Sequence, residues 1–149
     1  LSAESEGIIL KAPIIVASDT TQIDAFLAVI HGTGAINEKD RMIGQYRDIH
    51  TTLSWKLIVE TPGIYNLSLN QAVTAEQAGA TYELQINGQS LSGTTSGGDG
   101  WNDYQDVALG EIALPKGEHI LRFVPTSAPK GYVVNLQHLD LERIGELAQ

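Results

Sequence analysis

The chain has 149 residues, enough for one hydrophobic core that buries about 70% of the surface of the unfolded form. It contains no cysteine, which excludes disulfides, thiolate metal sites and a cysteine nucleophile. Eighteen acidic against nine basic side chains give a formal charge of −9, a balance that repels phosphate backbones and anionic lipid and so argues against nucleic-acid and membrane-surface partners.

No apolar run approaches the ~18 residues of a membrane span. No leader with a basic start and an apolar middle is present either. The chain starts at Leu1 rather than methionine, which suggests a single domain, 1–149, processed or taken from a larger protein. Near the amino end, GIILK and PIIVA predict two short strands around Pro13. TQIDAFLAVI fits either a short helix, through Ile23, Phe26, Leu27 and Ile30, or an irregular strand. HGTGAINEKDRM reads as a loop.

From Leu53 the period is two. Leu53, Trp55, Leu57 and Val59 share one face, and Ser54, Lys56 and Glu60 the other, which predicts a half-buried strand. Thr61-Pro62-Gly63 predicts a turn, and Tyr65, Leu67 and Leu69 continue the alternation, so the two segments read as a hairpin. TYELQING ends in Asn87-Gly88, the favoured two-residue hairpin turn. YQDVALGEIALP stops at Pro115, and EHILRFVP sets Leu121 and Phe123 against Ile120, Arg122 and Val124. GYVVNLQHLDLER predicts a last strand whose phase slips between Leu136 and Leu139, the signature of a β-bulge. About eight short strands with frequent turns predict an all-β antiparallel sandwich of jelly-roll type.

Enzyme motifs are absent from the sequence. There is no G-x-S-x-G, and His31, His50, His119 and His138 have no H-x-x-x-H spacing. The glycine-rich SGTTSGGDG lacks the Lys-Ser/Thr ending of a phosphate loop. Asp48, Asp99, Asp103, Asp106 and Glu111 show no spacing that marks a glycosidase pair, although composition leaves a small hydrolase open.

The aromatic residues divide into two groups. Trp55, Tyr65, Tyr82 and Phe123 lie on the apolar phase of strands and are expected in the core. Trp101 and Tyr104 follow the glycine stretch, in GGDGWNDYQ. Trp101 there is either a lid over one end of the core or a platform for a ligand. A sugar suits a platform, because an aromatic ring covers the C–H face of a pyranose while polar side chains replace water at its hydroxyls. Gln45, Arg47, Asn102, Asp103 and Asn135 supply that polar chemistry near aromatic residues.

Read in order, AESE, IGQYRDIHTTLSWKLIVETPGIYNLSL, YELQING, GWNDYQDVALGEIALPKGEHILRF and VVNLQHLDL resemble the carbohydrate-binding modules of families six and thirty-five. The resemblance implies a galactose-binding-domain-like β-sandwich that binds an oligo- or polysaccharide without catalysis. It further implies attachment to a glycoside hydrolase and a secreted, periplasmic or cell-surface location. It assigns the aromatic after the glycine loop to Trp101, a second flanking ring to Tyr46 and the polar residue opening the last strand to Asn135. Gln45 stands between Gly44 and Tyr46, where the family has none. A structural calcium ion is also implied, held by Glu4 and Glu6, with Gln137 where the family has aspartate. The alternative reading is a structural or protein-interaction sandwich without sugar binding.

Overall fold

The computed structural model describes residues 12–39 and 41–147. The elements are β1 (Ile14–Val16), β2 (Thr20–Asp24), a 3-10 turn (Ala25–Leu27), β3 (Val29–His31), β4 (Ile36–Glu38), β5 (Met42–Gly44), β6 (Thr52–Val59), β7 (Gly63–Ala72), β8 (Thr81–Ile86), β9 (Gln89–Thr94), β10 (Gln105–Leu114), β11 (Gly117–Ser127) and β12 (Asn135–Gly145). The GIILK strand predicted before Pro13 lies outside the described residues.

Period-two alternation puts one apolar face on each long strand, and two such faces bury each other. One sheet has the order β1-β6-β11-β8-β9, with β3 also on β6; the other runs β10-β7-β12-β5-β4, with β2 also on β12. Apart from the parallel β1–β6 pair, the ladders are antiparallel. The result is an all-β jelly-roll sandwich. Between the sheets lie Leu53, Trp55, Leu57, Tyr65, Leu67, Leu69, Leu84, Leu121, Phe123, Leu139 and Leu141. No helix among the described residues is long and apolar enough to cross a membrane.

Three of the strand expectations hold. The four core aromatics are buried; Tyr82 stacks on Phe123 at 4.8 Å, and the Trp55 indole N–H donates to Asp24 O at 3.1 Å. Asn87 and Gly88 take positive φ, 51° and 72°, as a type I′ hairpin turn requires, and β8 pairs with β9. The ladder of β12 slips between Leu136 and His138, so the bulge falls at Gln137.

Three others are corrected. The segments around Pro62 do not form a hairpin: β6 belongs to one sheet and β7 to the other, so the chain crosses the sandwich there. Tyr65 OH donates to Thr61 O and Arg143 Nε donates to Pro62 O at 3.0 Å, holding the corner. A Cβ at Gly63 would fall 2.5 Å from Arg143 Nε, so the corner closes only around glycine. Residues 20–30 are neither one helix nor one strand but β2, the 3-10 turn and β3. The expected loop after His31 contains the short pair β4–β5.

Tyr46 is 1% exposed, donates through its hydroxyl to Thr51 O, and lies 5.8 Å from the Phe123 ring. Burial, followed by the charge of Asp48, raises its pKa above the ordinary phenol value, and burial does the same to Tyr82. The neutral phenols are therefore favoured by folding. Their contribution is complete below the unfolded phenol value of about 10 and is lost as pH climbs beyond it. Melting temperature should hold steady from about pH 7 to 9 and fall above about pH 10. Tyr46→Phe should lower stability by ~1–3 kcal/mol at neutral pH, in urea unfolding, and flatten the alkaline fall. Gly93 lies over the Tyr82 ring, where a Cβ would fall 2.5 Å from the ring Cζ. Gly93→Ala should therefore cost ~1–3 kcal/mol by the same measurement, while Gly100→Ala, with open space around it, should cost little.

Candidate functional site

The glycine stretch brings one loop against its neighbour. Gly98 N donates to Val73 O at 3.0 Å, and a Cβ at Gly97 would fall 2.4 Å from Ala75 Cα, so side chains there would push the two loops apart. Asp103 then closes the loop on itself. Its carboxylate accepts from Asp99 N at 2.9 Å, and its own N–H donates to Gly100 O at 3.2 Å. Trp101 is carried at the apex of that closed turn. Asn135, the first residue of β12, donates from Nδ2 to Trp101 O at 3.0 Å, tying the apex to the sheet.

Tyr132 completes an aromatic corner. Its ring centroid lies 5.3 Å from that of Trp101 at 60°, an edge-to-face contact. The guanidinium of Arg47 sits 5.2 Å from the Tyr132 ring centroid and donates from Nη2 to Gln45 Oε1 at 2.7 Å. Glu38, Gln45, Arg47, Trp101, Tyr132 and Asn135 line one cavity of about 330 Å³. That volume lies within the roughly 300–1,000 Å³ range of small-molecule sites. A neighbouring hollow of about 370 Å³ adds Arg41, Asn102, Tyr104 and Gln137. Beyond the aromatic corner, Glu76, Gln77 and Asp99 help line another of about 610 Å³ that shares Trp101 and Tyr132. The hollow of about 410 Å³ at the Asn87-Gly88 hairpin has no aromatic ring in its wall.

The structure brings Trp101, Asn135, Gln45 and Arg47 together. Asn102 is exposed and faces the neighbouring hollow, where burial, with a smaller push from Glu38, raises the Tyr104 phenol above its ordinary value. Asp103 has its carboxylate committed to its own loop. Tyr46 is corrected: it lies in the core and lines none of these cavities. Gln45, at φ 52°, and Arg47 face the cavity, and the phenol between them points inward, following the alternation of buried and exposed residues along this segment.

The ring that faces Trp101 is Tyr132, which sequence reading placed inside the last strand. That strand begins only at Asn135. Gly131, at φ 90°, immediately precedes Tyr132, and Gly100 likewise immediately precedes Trp101, so a glycine before an aromatic was the signal available. Glu38 was missed because its segment read as a loop.

The calcium expectation rests on Glu4 and Glu6, which lie outside the described residues, and on Gln137. Gln137 is exposed at the β12 bulge in a hollow that Glu38 shares with Lys39 and Arg41. Calcium takes six to eight oxygens, several of them carboxylates. One carboxylate and a neutral amide beside two cations do not by themselves fit it in that hollow.

No protein-family model matches the sequence, and no curated protein matches it. Solved structures do. A family 35 carbohydrate-binding module from Clostridium thermocellum superposes with a TM-score of 0.70 at 15% identity, covering 85% of this chain and 100% of the module. A GH26-CBM35 beta-(1,4)-mannanase from Podospora anserina gives 0.67 at 15% identity, over 89% of this chain and 29% of the mannanase. A mosquito-larvicidal toxin from Bacillus thuringiensis gives 0.69 at 18% identity, over 85% of this chain and 24% of the toxin. The chain therefore spans under a third of the mannanase and of the toxin but matches the whole length of the isolated module. At these identities, what it shares with all three is the jelly-roll β-sandwich.

Proposed function

We propose that this chain is a non-catalytic carbohydrate-binding module whose ligand, an oligo- or polysaccharide, rests in the cavity at the aromatic corner. The observation that carries the reading is the convergence of two aromatic rings, Trp101 and Tyr132, with Gln45, Arg47, Glu38 and Asn135 in one cavity at the loop end of the sandwich. The rings offer apolar area for the C–H face of a sugar. The amide, guanidinium and carboxylate groups around them offer both donors and acceptors for its hydroxyls. One N–H of Asn135 Nδ2 goes to Trp101 O, which leaves its second N–H to donate to a sugar hydroxyl and its carbonyl oxygen to accept from one. This agrees with a fold shared with a family 35 carbohydrate-binding module and with a GH26-CBM35 mannanase.

Single-site affinity for a hydrated sugar is expected to be weak, and tethering to a glycoside hydrolase would convert it into local concentration on a polymer. An extracellular location follows from that role. A calcium ion, where bound, would draw its charge from Glu4 and Glu6, with Gln137 supplying one neutral oxygen.

In affinity electrophoresis against a panel of soluble polysaccharides, one glycan should retard the wild-type chain. Trp101→Ala and Tyr132→Ala should each weaken binding about tenfold or more, the loss expected when ~60 Å² of apolar contact at ~25 cal/mol per Å² disappears. The melting temperature should move by only about 2–3 °C. Tyr46→Phe should leave retardation unchanged. If no glycan retards the wild type and Trp101→Ala lowers the melting temperature by about 8 °C or more, the indole is a lid. The alternative of a structural or protein-interaction domain then stands.

A further inference from the structure

A row of polar side chains crosses the solvent face of the second sheet, away from the core. The ladders place Asp106 of β10 opposite Asn70 of β7, and Asn70 opposite His138 of β12. Asp140, two residues on, projects from the same face as His138, while Leu139 and Leu141 point into the core. One ligand atom from each of Asp106, His138 and Asp140 can be chosen so that all three lie within 4.8 Å of one another. Ligand atoms on one tetrahedral zinc ion at ~2.0–2.2 Å lie about 3.4 Å apart, so an ion would draw the more widely spaced of them in by about an ångström, within reach of a side-chain rotation.

One unpartnered buried atom points to a missing cation, beside a nitrogen and an oxygen already set together: His138 Nδ1 lies 2.9 Å from Asp140 Oδ2 as an ion-pair contact. An ion entering there would take both atoms as ligands in place of the proton between them. Asn70 is only 9% exposed; its Nδ2 donates to Asp106 Oδ1 at 2.9 Å, and its Oδ1 has no partner. A buried carbonyl without a partner is costly, and a cation held between Asp106 and His138, the ladder neighbours of Asn70, would satisfy it.

We propose that Asp106, His138 and Asp140 bind one divalent first-row transition ion, represented by zinc, with Asn70 Oδ1 as a further oxygen ligand. Imidazole with carboxylates selects zinc and its neighbours in the series, whereas calcium takes oxygen ligands alone. The site shares no residue with the aromatic cavity or with the calcium expectation, so it stands or falls independently of the glycan reading.

Tag-free chain stripped with EDTA should take up one zinc per chain in calorimetric titration. At zinc one hundred times its dissociation constant, its melting temperature should rise by about 5 °C or more. Asp106→Asn and His138→Gln should each weaken uptake about tenfold or more, while His50→Gln and Trp101→Ala should leave it unchanged. Calcium at the same concentration should produce neither heat nor shift. Should His138→Gln fail to fold, the 15N signals of the wild-type imidazoles decide: zinc should move those of His138 and leave His31, His50 and His119 in place. Absence of stoichiometric zinc uptake, uptake indifferent to Asp106→Asn, a shift at another histidine, or an equal response to calcium would each overturn the assignment.

Discussion

Two faces of alternating apolar side chains bury each other between the sheets, and that burial dictates where chemistry can occur. Strands that give every second residue to the core leave their partners on the outer faces, and the backbone ladders use up most of the main-chain polar groups. A ligand can then be met at the loop ends, where the chain escapes the ladder, or across an outer sheet face. Both places carry candidate sites here. The aromatic corner is built at one loop end from Trp101 and Tyr132, and the Asp106–Asn70–His138 row crosses the sheet β10-β7-β12 on its solvent side.

The loop end is ordered by local bonds before any ligand arrives. Asp103 ties its own turn, Asn135 fixes the apex carbonyl, and Arg47 covers one face of Tyr132 while bound to Gln45. A surface already set in place would lose less conformational freedom on meeting a ligand. These same bonds explain why Asp103, chosen from sequence as a contact residue, serves the loop instead.

Alternation made the core legible from sequence: Trp55, Tyr65, Tyr82 and Phe123 were recognised because period two is a property of each strand alone. The Asn87-Gly88 turn was equally local, since positive φ at both positions selects those residues. Sheet membership was not legible around Pro62. A strand that turns back on its neighbour and one that crosses to the opposite sheet carry the same alternation, and the corner is decided by Arg143, some eighty residues away in sequence. The site was half legible. Trp101 and Asn135 could be placed by order along the chain, but the second ring is Tyr132, which lies in a loop that its apolar neighbours made look like the start of the last strand.

In a chain that alternates inside and outside, adding or removing one residue reverses the side on which everything after it emerges. Deleting Gln45 would turn the phenol of Tyr46 out of the core and toward the side that Gln45 and Arg47 face. A sandwich of this kind can thus exchange which loop presents an aromatic ring at its end through a change in length, with the residues themselves left as they are.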